Sequence, residues 1–88
     1  MLTTDIEREV RSFLVDNFLF GRADQLRDDQ SLLGNVIDST GVLELVTFLQ
    51  NHFVITVEDE EVVADNLDSV RNIVVYVAKK LALAPKLA

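Results

Sequence analysis

Apolar residues recur at helical spacing in three stretches of the chain, and in each stretch they fall on one face of the helix. The middle stretch predicts a helix from about residue 39 to 53, and the last predicts one that ends near residue 81. The three apolar stripes consist of Ile6, Val10, Phe13, Leu14 and Phe18, of Val42, Leu45, Val46, Leu49 and Phe53, and of Val70, Ile73, Val74, Val77 and Leu81. We therefore expect an all-α fold in which three amphipathic helices bury these faces against one another.

The ends of two of these helices carry residues that commonly cap helices. Thr4 and Glu7 fit a capping box at the start of the first helix, and Gly21 can end that helix. Either Asp68 or Ser69 can cap the last helix with a side-chain oxygen. These residues predict the limits of the first and last helices from the local sequence.

Two segments without a helical stripe separate the long helices. From about residue 21 to 37 the chain is polar, apart from five apolar residues that predict a long loop pinned to the core: Leu26, Leu32, Leu33, Val36 and Ile37. Residues 54–57 are β-branched throughout and predict a short extended link. Residues 58–61 are acidic and, together with residues 62–64, predict a short third helix. We expect a bundle of three longer helices and one short helix, with a long loop between helices one and two.

The start of the middle helix is the candidate functional site. Asp38 is a good N-cap, because its carboxylate can accept a hydrogen bond from the unpaired amides at the helix start. Ser39 then projects beside the helix mouth, where free amides and aligned peptide dipoles favour negative charge. A phosphate ester on Ser39 would be stabilised there, whereas the bare hydroxyl has no activating base nearby in the sequence.

Spacing excludes two enzyme classes and a calcium site. The single histidine, His52, follows Ser39 by about four helical turns, which is too far along one rigid helix for the base of a serine hydrolase. Residues 38–41 are one residue longer than the Asp-Ser-Gly or Asp-Thr-Gly motif of aspartic proteases, and they lie in a chain that we expect to be all-α. No stretch has the ligand spacing of a calcium loop. We therefore expect no catalytic residue and no metal site.

Composition narrows the partners that the chain can bind. Its 88 residues are 49% apolar, carry a net charge of −7 and include no cysteine. The negative charge is concentrated, because residues 24–65 hold ten acidic side chains and one arginine. We expect nucleic acid to be repelled and basic protein surfaces to be attracted. Any thiol chemistry has to come from a cofactor.

Length and hydropathy predict one small domain. We expect that domain to cover residues 1–81 and a frayed tail to cover residues 82–88. The N-terminus lacks the basic and apolar regions of a signal peptide, and no apolar run approaches about 18 residues, the length of a membrane span. We therefore expect a cytoplasmic protein that does not enter a membrane. A net charge of −7 also favours a monomer.

The motif at the start of the middle helix and its flanking segments follow a known pattern. The residues that carry it are Asp38-Ser39-Thr40, Leu43-Glu44-Leu45-Val46, residues 29–33, Phe53 and residues 57–61. The pattern resembles the acyl carrier protein and thiolation-domain family, and the similarity covers roughly residues 4–80. The third motif residue is Thr40, where the family usually has leucine. The resemblance implies an acyl-carrier-like helical bundle.

The resemblance also implies a carrier that performs no catalysis. In the family, the motif serine carries a phosphopantetheine arm taken from coenzyme A, and the arm's thiol holds an acyl or aminoacyl group as a thioester. That role would fall to Ser39. A phosphopantetheinyl transferase would attach the arm, and ligases or synthases with basic docking surfaces would load and use it. The identity of the cargo stays open among fatty acyl, aminoacyl and polyketide-type groups.

One side of the middle helix and the acidic run form the candidate docking surface. Leu43 lies off the apolar stripe, on the same side as Thr40 and Thr47, so it is available to a partner unless it packs on the loop or the third helix. The candidate motif and docking residues are Asp38, Thr40, Leu43, Glu44, Thr47, Glu58, Asp59, Glu60 and Glu61. The alternative function is an acidic interaction module of the same fold that never receives an arm, and Thr40 keeps that alternative open.

Overall fold

The computed structural model describes residues 2–83. Within this range the chain forms four α-helices and two 3₁₀ turns, and it forms no strand. The helices are α1 (Thr3–Phe18), α2 (Ser39–Phe53), α3 (Ala64–Leu67) and α4 (Val70–Leu83), and the 3₁₀ turns are Ala23–Gln25 and Asp59–Glu61. The predicted all-α bundle of three longer helices and one short helix is confirmed. No helix in this range is long and apolar enough to cross a membrane.

The three long helices enclose one hydrophobic core. Each buries the stripe predicted for it, and the buried members are Ile6, Val10, Leu14, Leu45, Leu49, Phe53, Val70, Ile73, Val74 and Val77. The other stripe residues are partly exposed and pack around the edge of that core: Phe13, Phe18, Val42, Val46 and Leu81. The spacing of apolar residues therefore identifies the buried face of each helix.

The segment between α1 and α2 is a loop that buried side chains tie to the core. Leu26, Leu32 and Ile37 are buried, as predicted, and Leu33 and Val36 pack against the core while staying partly exposed. A loop with several buried apolar contacts opens less readily than one without them. The start of α2 is therefore held at a defined place on the core.

The start of α1 differs from the predicted one, whereas its end agrees with the prediction. The Thr4–Glu7 capping box is wrong, because α1 already begins at Thr3 and no side chain caps its first turn. Gly21 follows the helix end in a left-handed conformation (φ 83°), and its N–H donates to the Val15 carbonyl at 3.0 Å. Glycine adopts this conformation without steric cost, which is why it suits the end of a helix.

The last helix, α4, begins at Val70, directly after the two residues predicted to cap it. Ser69 caps it, since the Asn72 N–H donates to Ser69 Oγ at 3.0 Å, whereas Asp68 makes other contacts. The helix continues to Leu83, so the first two residues of the predicted tail are helical. The rest of that tail, residues 84–88, lies outside the described residues.

The predicted position of the short third helix, residues 58–64, is wrong. Asp59–Glu61 is a 3₁₀ turn, and α3 is a separate helical turn that starts only at Ala64. Val62 and Val63 lie between them without helical structure, and both side chains are exposed. Because β-branched side chains lose rotamer freedom in a helix, this pair favours a break between the two turns.

The link after α2 has no helix or strand at residues 55–57, and its extended conformation stays a prediction. Val54 ends the helix in a left-handed conformation (φ 56°), and its side chain is exposed. Ile55 and Val57 are buried, and the Val57 N–H donates to Gln50 Oε1 at 3.0 Å. Alternate side chains of the link therefore fasten it to the core beside the later turns of α2.

Candidate functional site

The first turn of α2 places Ser39 at the surface. The helix begins at Ser39, whose side chain is exposed, and Asp38 is its N-cap. Asp38 Oδ1 accepts a hydrogen bond from the Gly41 N–H at 2.7 Å, and the Asp38 carbonyl accepts one from the Val42 N–H at 3.0 Å. The predicted cap is therefore present, and it leaves the Ser39 hydroxyl accessible at the helix mouth.

The electrostatic setting of Ser39 favours a negatively charged substituent. The first N–H groups of a helix lack an intrahelical acceptor, and no described group accepts from the Ser39 or Thr40 N–H. Such amides, together with the aligned peptide dipoles, stabilise a phosphate at the helix start. No acidic residue lies in the first turn of α2. A phosphate ester on Ser39 therefore fits the residues that are present.

The same residues provide no base for the Ser39 hydroxyl. The Asp38 carboxylate is directed at the Gly41 amide, and no described side chain hydrogen-bonds to Ser39 Oγ. His52 lies at the other end of α2, about 20 Å away along the helix axis. The described residues therefore place no general base beside Ser39.

Gly41 allows the end of α1 and the loop to pack directly on the first turn of α2. A Cβ atom at this position would lie 2.8 Å from Phe18 Cε1 and 2.9 Å from Ile37 Cγ2. Contacts this short do not occur between carbon atoms, so any larger residue would push one of these two side chains away. This close packing was not predicted from the sequence, although an isolated glycine within a helical pattern can have a packing reason.

A hydrogen-bonded turn leads into the site. The Leu32 carbonyl accepts hydrogen bonds at 2.9–3.2 Å from three N–H groups, those of Asn35, Val36 and Ile37. Gly34 has a left-handed conformation (φ 83°), and its N–H donates to the Ile37 carbonyl at 2.8 Å. The turn therefore fixes Ile37, which directly precedes the N-cap of α2, relative to Leu32.

The predicted docking residues of α2 lie together along one surface groove. The groove has a volume of about 400 Å³ and is lined by Phe13, Thr40, Leu43, Glu44, Thr47 and Phe48. Leu43 is 69% exposed, so it packs neither on the loop nor on the third helix. The rings of Phe13 and Phe48 are stacked with their centroids 4.2 Å apart. An apolar surface with one carboxylate at its edge thus runs along the helix that bears Ser39.

The aromatic stack continues from this groove toward the far end of α2. The His52 ring stacks on Phe48 with a centroid distance of 5.0 Å, and His52 Nε2 lies 3.1 Å from a carboxylate oxygen of Glu9. These contacts join the last turn of α2 to α1. His52 therefore has a packing role, and it is remote from the candidate site.

The acidic run after α2 is anchored to α4 through Glu61. The Glu61 carboxylate accepts hydrogen bonds from the Glu58 N–H at 2.9 Å, from the Tyr76 hydroxyl at 3.1 Å and from Lys80 Nζ at 2.9 Å. The bond from the Glu58 backbone, followed by that from Lys80, lowers the pKa of Glu61. Burial and the neighbouring Glu61 carboxylate raise the pKa of Tyr76.

The four predicted docking acids of this run are therefore not equivalent. The Glu58 carboxylate accepts the Glu61 N–H in a capping box, and the Glu61 carboxylate is already bound inside the protein. Asp59 and Glu60 are exposed, and no described group forms a hydrogen bond or ion pair with their carboxylates. Only these two are presented for a partner without the loss of an internal contact.

Comparison with known proteins identifies a relative that aligns with most of the chain. The chain is 36% identical over 80 residues to a protein of Akkermansia muciniphila that is named acyl carrier protein. The aligned region covers 90% of this chain and 96% of that protein. An alignment of this extent includes the loop, α2 and Ser39 wherever it begins. No protein-family model matches the chain.

Proposed function

The chain belongs to the acyl carrier protein family, and from this premise we propose that it holds an acyl or aminoacyl group as a thioester on a phosphopantetheine arm attached to Ser39. The observation that carries the proposal is the exposed Ser39 hydroxyl at the helix mouth that Asp38 caps. The arm supplies the thiol that this cysteine-free chain lacks. The chain then performs no catalysis and delivers its cargo to partner enzymes.

The arm comes from coenzyme A in a single phosphoryl-group transfer. Ser39 Oγ forms a bond to the phosphorus of the pantetheine phosphate, and the bond from that phosphorus to the adenosine bisphosphate half of coenzyme A breaks. The serine proton passes to a base of the phosphopantetheinyl transferase, because this chain places no base beside Ser39. The chain's own part is to hold the hydroxyl in solvent and to offer the amides of Ser39 and Thr40 to the phosphate.

Partners of the carrier dock on the groove along α2. Leu43 is the apolar anchor, Glu44 is the carboxylate at the edge, and Thr40 and Thr47 complete the outward surface. The acidic charge of residues 24–65 attracts the basic surfaces of the transferase and of the ligase or synthase that loads the arm. The exposed carboxylates of Asp59 and Glu60 add to this electrostatic attraction, but the partner does not depend on them for its main contact.

Intact-mass spectrometry tests the attachment site. The full chain is incubated with coenzyme A and a promiscuous phosphopantetheinyl transferase, and we expect the mass of one arm on the wild type and no gain on Ser39→Ala. Ser12→Ala is the matched control, because Ser12 is also an exposed serine, and it should gain one arm. An unmodified wild type, or a modified Ser39→Ala, would contradict the assignment.

The alternative function, an acidic interaction module without an arm, predicts a different result. Thr40 is exposed where the resembling family usually has leucine, so a transferase that reads this position could reject the chain. Thr40→Leu would then be modified while the wild type is not. The mass of the protein purified from its native cell decides between a carrier and such a module.

A further inference from the structure

Asp68, which lies between α3 and α4, binds the loop that leads to Ser39. Its Oδ1 atom accepts hydrogen bonds from the Leu33 N–H at 2.8 Å, from the Ser31 hydroxyl at 2.9 Å and from the Leu32 N–H at 3.1 Å. The Asp68 carbonyl also accepts from the Leu32 N–H, at 2.7 Å. One residue therefore fastens three consecutive loop residues to the start of α4.

The loop itself supplies the donors that compensate the charge of this carboxylate. None of the ion pairs within residues 2–83 involves Asp68. The hydrogen bond from the Leu33 N–H, followed by that from Ser31, lowers the pKa of Asp68. Hydrogen bonds to an ionised acceptor are stronger than neutral ones. Loss of the carboxylate would therefore leave the Leu33 N–H and the Ser31 hydroxyl without this acceptor, whereas the Leu32 N–H keeps its hydrogen bond to the Asp68 carbonyl.

The contact is connected to Ser39 through a single turn of backbone. Leu32, which Asp68 binds, is the residue whose carbonyl closes the turn that ends at Ile37. Ile37 is buried, and its side chain packs where Gly41 leaves room in the first turn of α2. A shift of the segment that Asp68 binds is therefore transmitted through the turn to the residues on either side of Ser39.

The hydrogen bonds that α1 and α4 make to the loop hold its earlier half. Arg11 donates to the Leu26 carbonyl at 2.9 Å and pairs with the Asp28 carboxylate. The Arg71 N–H donates to the Asp28 carbonyl at 2.9 Å. Both attachments precede the turn into α2. Asp68 is the side chain that binds the loop immediately before that turn.

We propose that Asp68 is a positioning residue for Ser39: by binding residues 31–33 it holds the following turn, and with it the first turn of α2, in the orientation that the phosphopantetheinyl transferase requires. The inference rests on the proposed function of Ser39. Asp68 acts through the loop, and it contacts neither Ser39 nor the docking groove.

Amide hydrogen exchange of the full-length apo protein, measured by NMR, tests the contact. Asp68→Ala removes all the side-chain acceptors, whereas Asp68→Asn keeps one neutral acceptor. We expect exchange of the residue 32–37 amides to rise about tenfold in Asp68→Ala and less in Asp68→Asn, while the Leu45 amide in the core of α2 keeps its protection. Asp65→Ala, which removes an exposed carboxylate three residues earlier, should change nothing.

Steady-state kinetics of arm transfer test the positioning role. We expect Asp68→Ala to lower kcat about tenfold with little change in the KM for the carrier, because a misplaced hydroxyl still docks but reacts slowly. Asp68→Asn should recover part of kcat, and Asp65→Ala should keep the wild-type kcat, because the loss of one charge from residues 24–65 affects association with the transferase and not the transfer step. Ile73→Val, a core variant of reduced stability, should transfer normally at a temperature where every variant is folded. This control separates positioning from stability.

The outcomes distinguish this inference from the function on which it rests. Unchanged loop exchange in Asp68→Ala would overturn the contact, and increased exchange with an unchanged kcat would overturn the positioning role. If the wild type accepts no arm, the proposed function fails, and the amide chemical shifts of residues 38–41 decide instead. Shifts that move in Asp68→Ala but not in Asp65→Ala would then support positioning, and shifts that stay unchanged would overturn it.

Discussion

The two ends of α2 are held in opposite ways. At its start, Asp38 caps the helix, and Gly41 lets neighbouring side chains pack directly on the first turn. At its end, Val54 adopts a left-handed conformation (φ 56°) with 83% of its surface exposed. A β-branched residue in that conformation costs about 1–2 kcal/mol. The helix is well fitted at the end that bears Ser39 and strained at the other end.

The difference agrees with the proposed function, in which only the end that bears Ser39 is modified. A residue that another enzyme must reach and modify needs a defined position, and fixed supporting contacts provide it. The far end only has to return the chain to the core, and the buried side chains of Ile55 and Val57 achieve that despite the strain at Val54. The contacts that fix the backbone of α2 without strain therefore lie at the end that bears Ser39.

The largest effect on the free energy of unfolding is expected for a core residue in the middle of α2, between its two ends. Leu49 is fully buried, so Leu49→Ala should lower the free energy of unfolding by about 2–5 kcal/mol. Circular dichroism with urea titration measures the loss. Leu43→Ala makes the same chemical change on the exposed side of the same helix and should cost much less. A loss below about 1 kcal/mol for Leu49→Ala would mean that the wrong face of α2 has been placed in the core.

A smaller loss is expected when the close packing at the start of α2 is disturbed. Gly41→Ala introduces a methyl group against Phe18 and Ile37, and such overpacking costs about 1–3 kcal/mol. Alanine regains up to about 1 kcal/mol through its higher helix propensity, so the net result should be a modest loss. Urea titration gives the value, and Phe18→Leu in the same chain should restore part of it. A stabilised Gly41→Ala would contradict the tight contact.

Docking at the Ser39 end should depend on Leu43 more than on charge. Apolar anchors typically cost more than about 1 kcal/mol when truncated, whereas edge charges mainly change association rate and salt dependence. Loading of the arm-bearing protein by its ligase is compared for Leu43→Ala, Glu44→Gln, Thr40→Leu and the wild type at two salt concentrations. We expect the largest fall in kcat/KM for Leu43→Ala. Normal loading of this variant, with loss of loading after neutralisation of Asp59 and Glu60, would place docking on the acidic run instead.

Relief of the strain at the far end should stabilise the protein slightly. Asparagine tolerates the left-handed conformation better than a β-branched residue, so Val54→Asn should raise the free energy of unfolding by about 0.5–1 kcal/mol. Val75→Asn is the matched control, since Val75 is also exposed but lies within α4, where asparagine brings no such relief. A destabilised Val54→Asn would show that the valine side chain contributes contacts that outweigh its strain.

The smallest effect is expected for the pH dependence of stability, through Glu61 in the acidic run after α2. Because the folded protein lowers the pKa of Glu61, its contacts stabilise the fold above the ordinary value of 4.5, and this contribution is lost as pH falls through the lowered pKa. Urea midpoints of the wild type and Glu61→Gln should therefore differ at pH 7 and converge as the pH falls below 4.5. Glu60→Gln should follow the wild type at every pH. A difference for Glu61→Gln that does not change with pH would contradict this role.

Features that depend on neighbours in the sequence could be predicted from the sequence alone. The buried stripe of each long helix follows from side-chain spacing, and the cap at Asp38 follows from the residue that precedes a helix. The burial of apolar loop residues could also be predicted, because an apolar side chain in an otherwise polar stretch gains most when it packs against the core. All of these signals are local.

Contacts between distant segments could not be predicted in the same way. The Glu61 carboxylate was assigned to docking, but Tyr76 and Lys80 on α4 bind it. The closeness of Phe18 to Gly41 likewise depends on how α1 crosses the loop. The break between the 3₁₀ turn and α3 was not predicted. The acidic residues 58–61 favour a helix start, and they were given more weight than the low helix propensity of Val62 and Val63.

The close approach at Gly41 also bears on the engineering of chimeric carriers. A motif from another carrier that brings a side chain to this position would meet the Phe18 ring and the Ile37 methyl group at distances below 3 Å. Exchange of the four motif residues by themselves would thus create a mismatch in the host. A functional graft has to take along the last turn of α1 and the residue before Asp38, so the transferable unit consists of two chain segments, the end of α1 and residues 37–41.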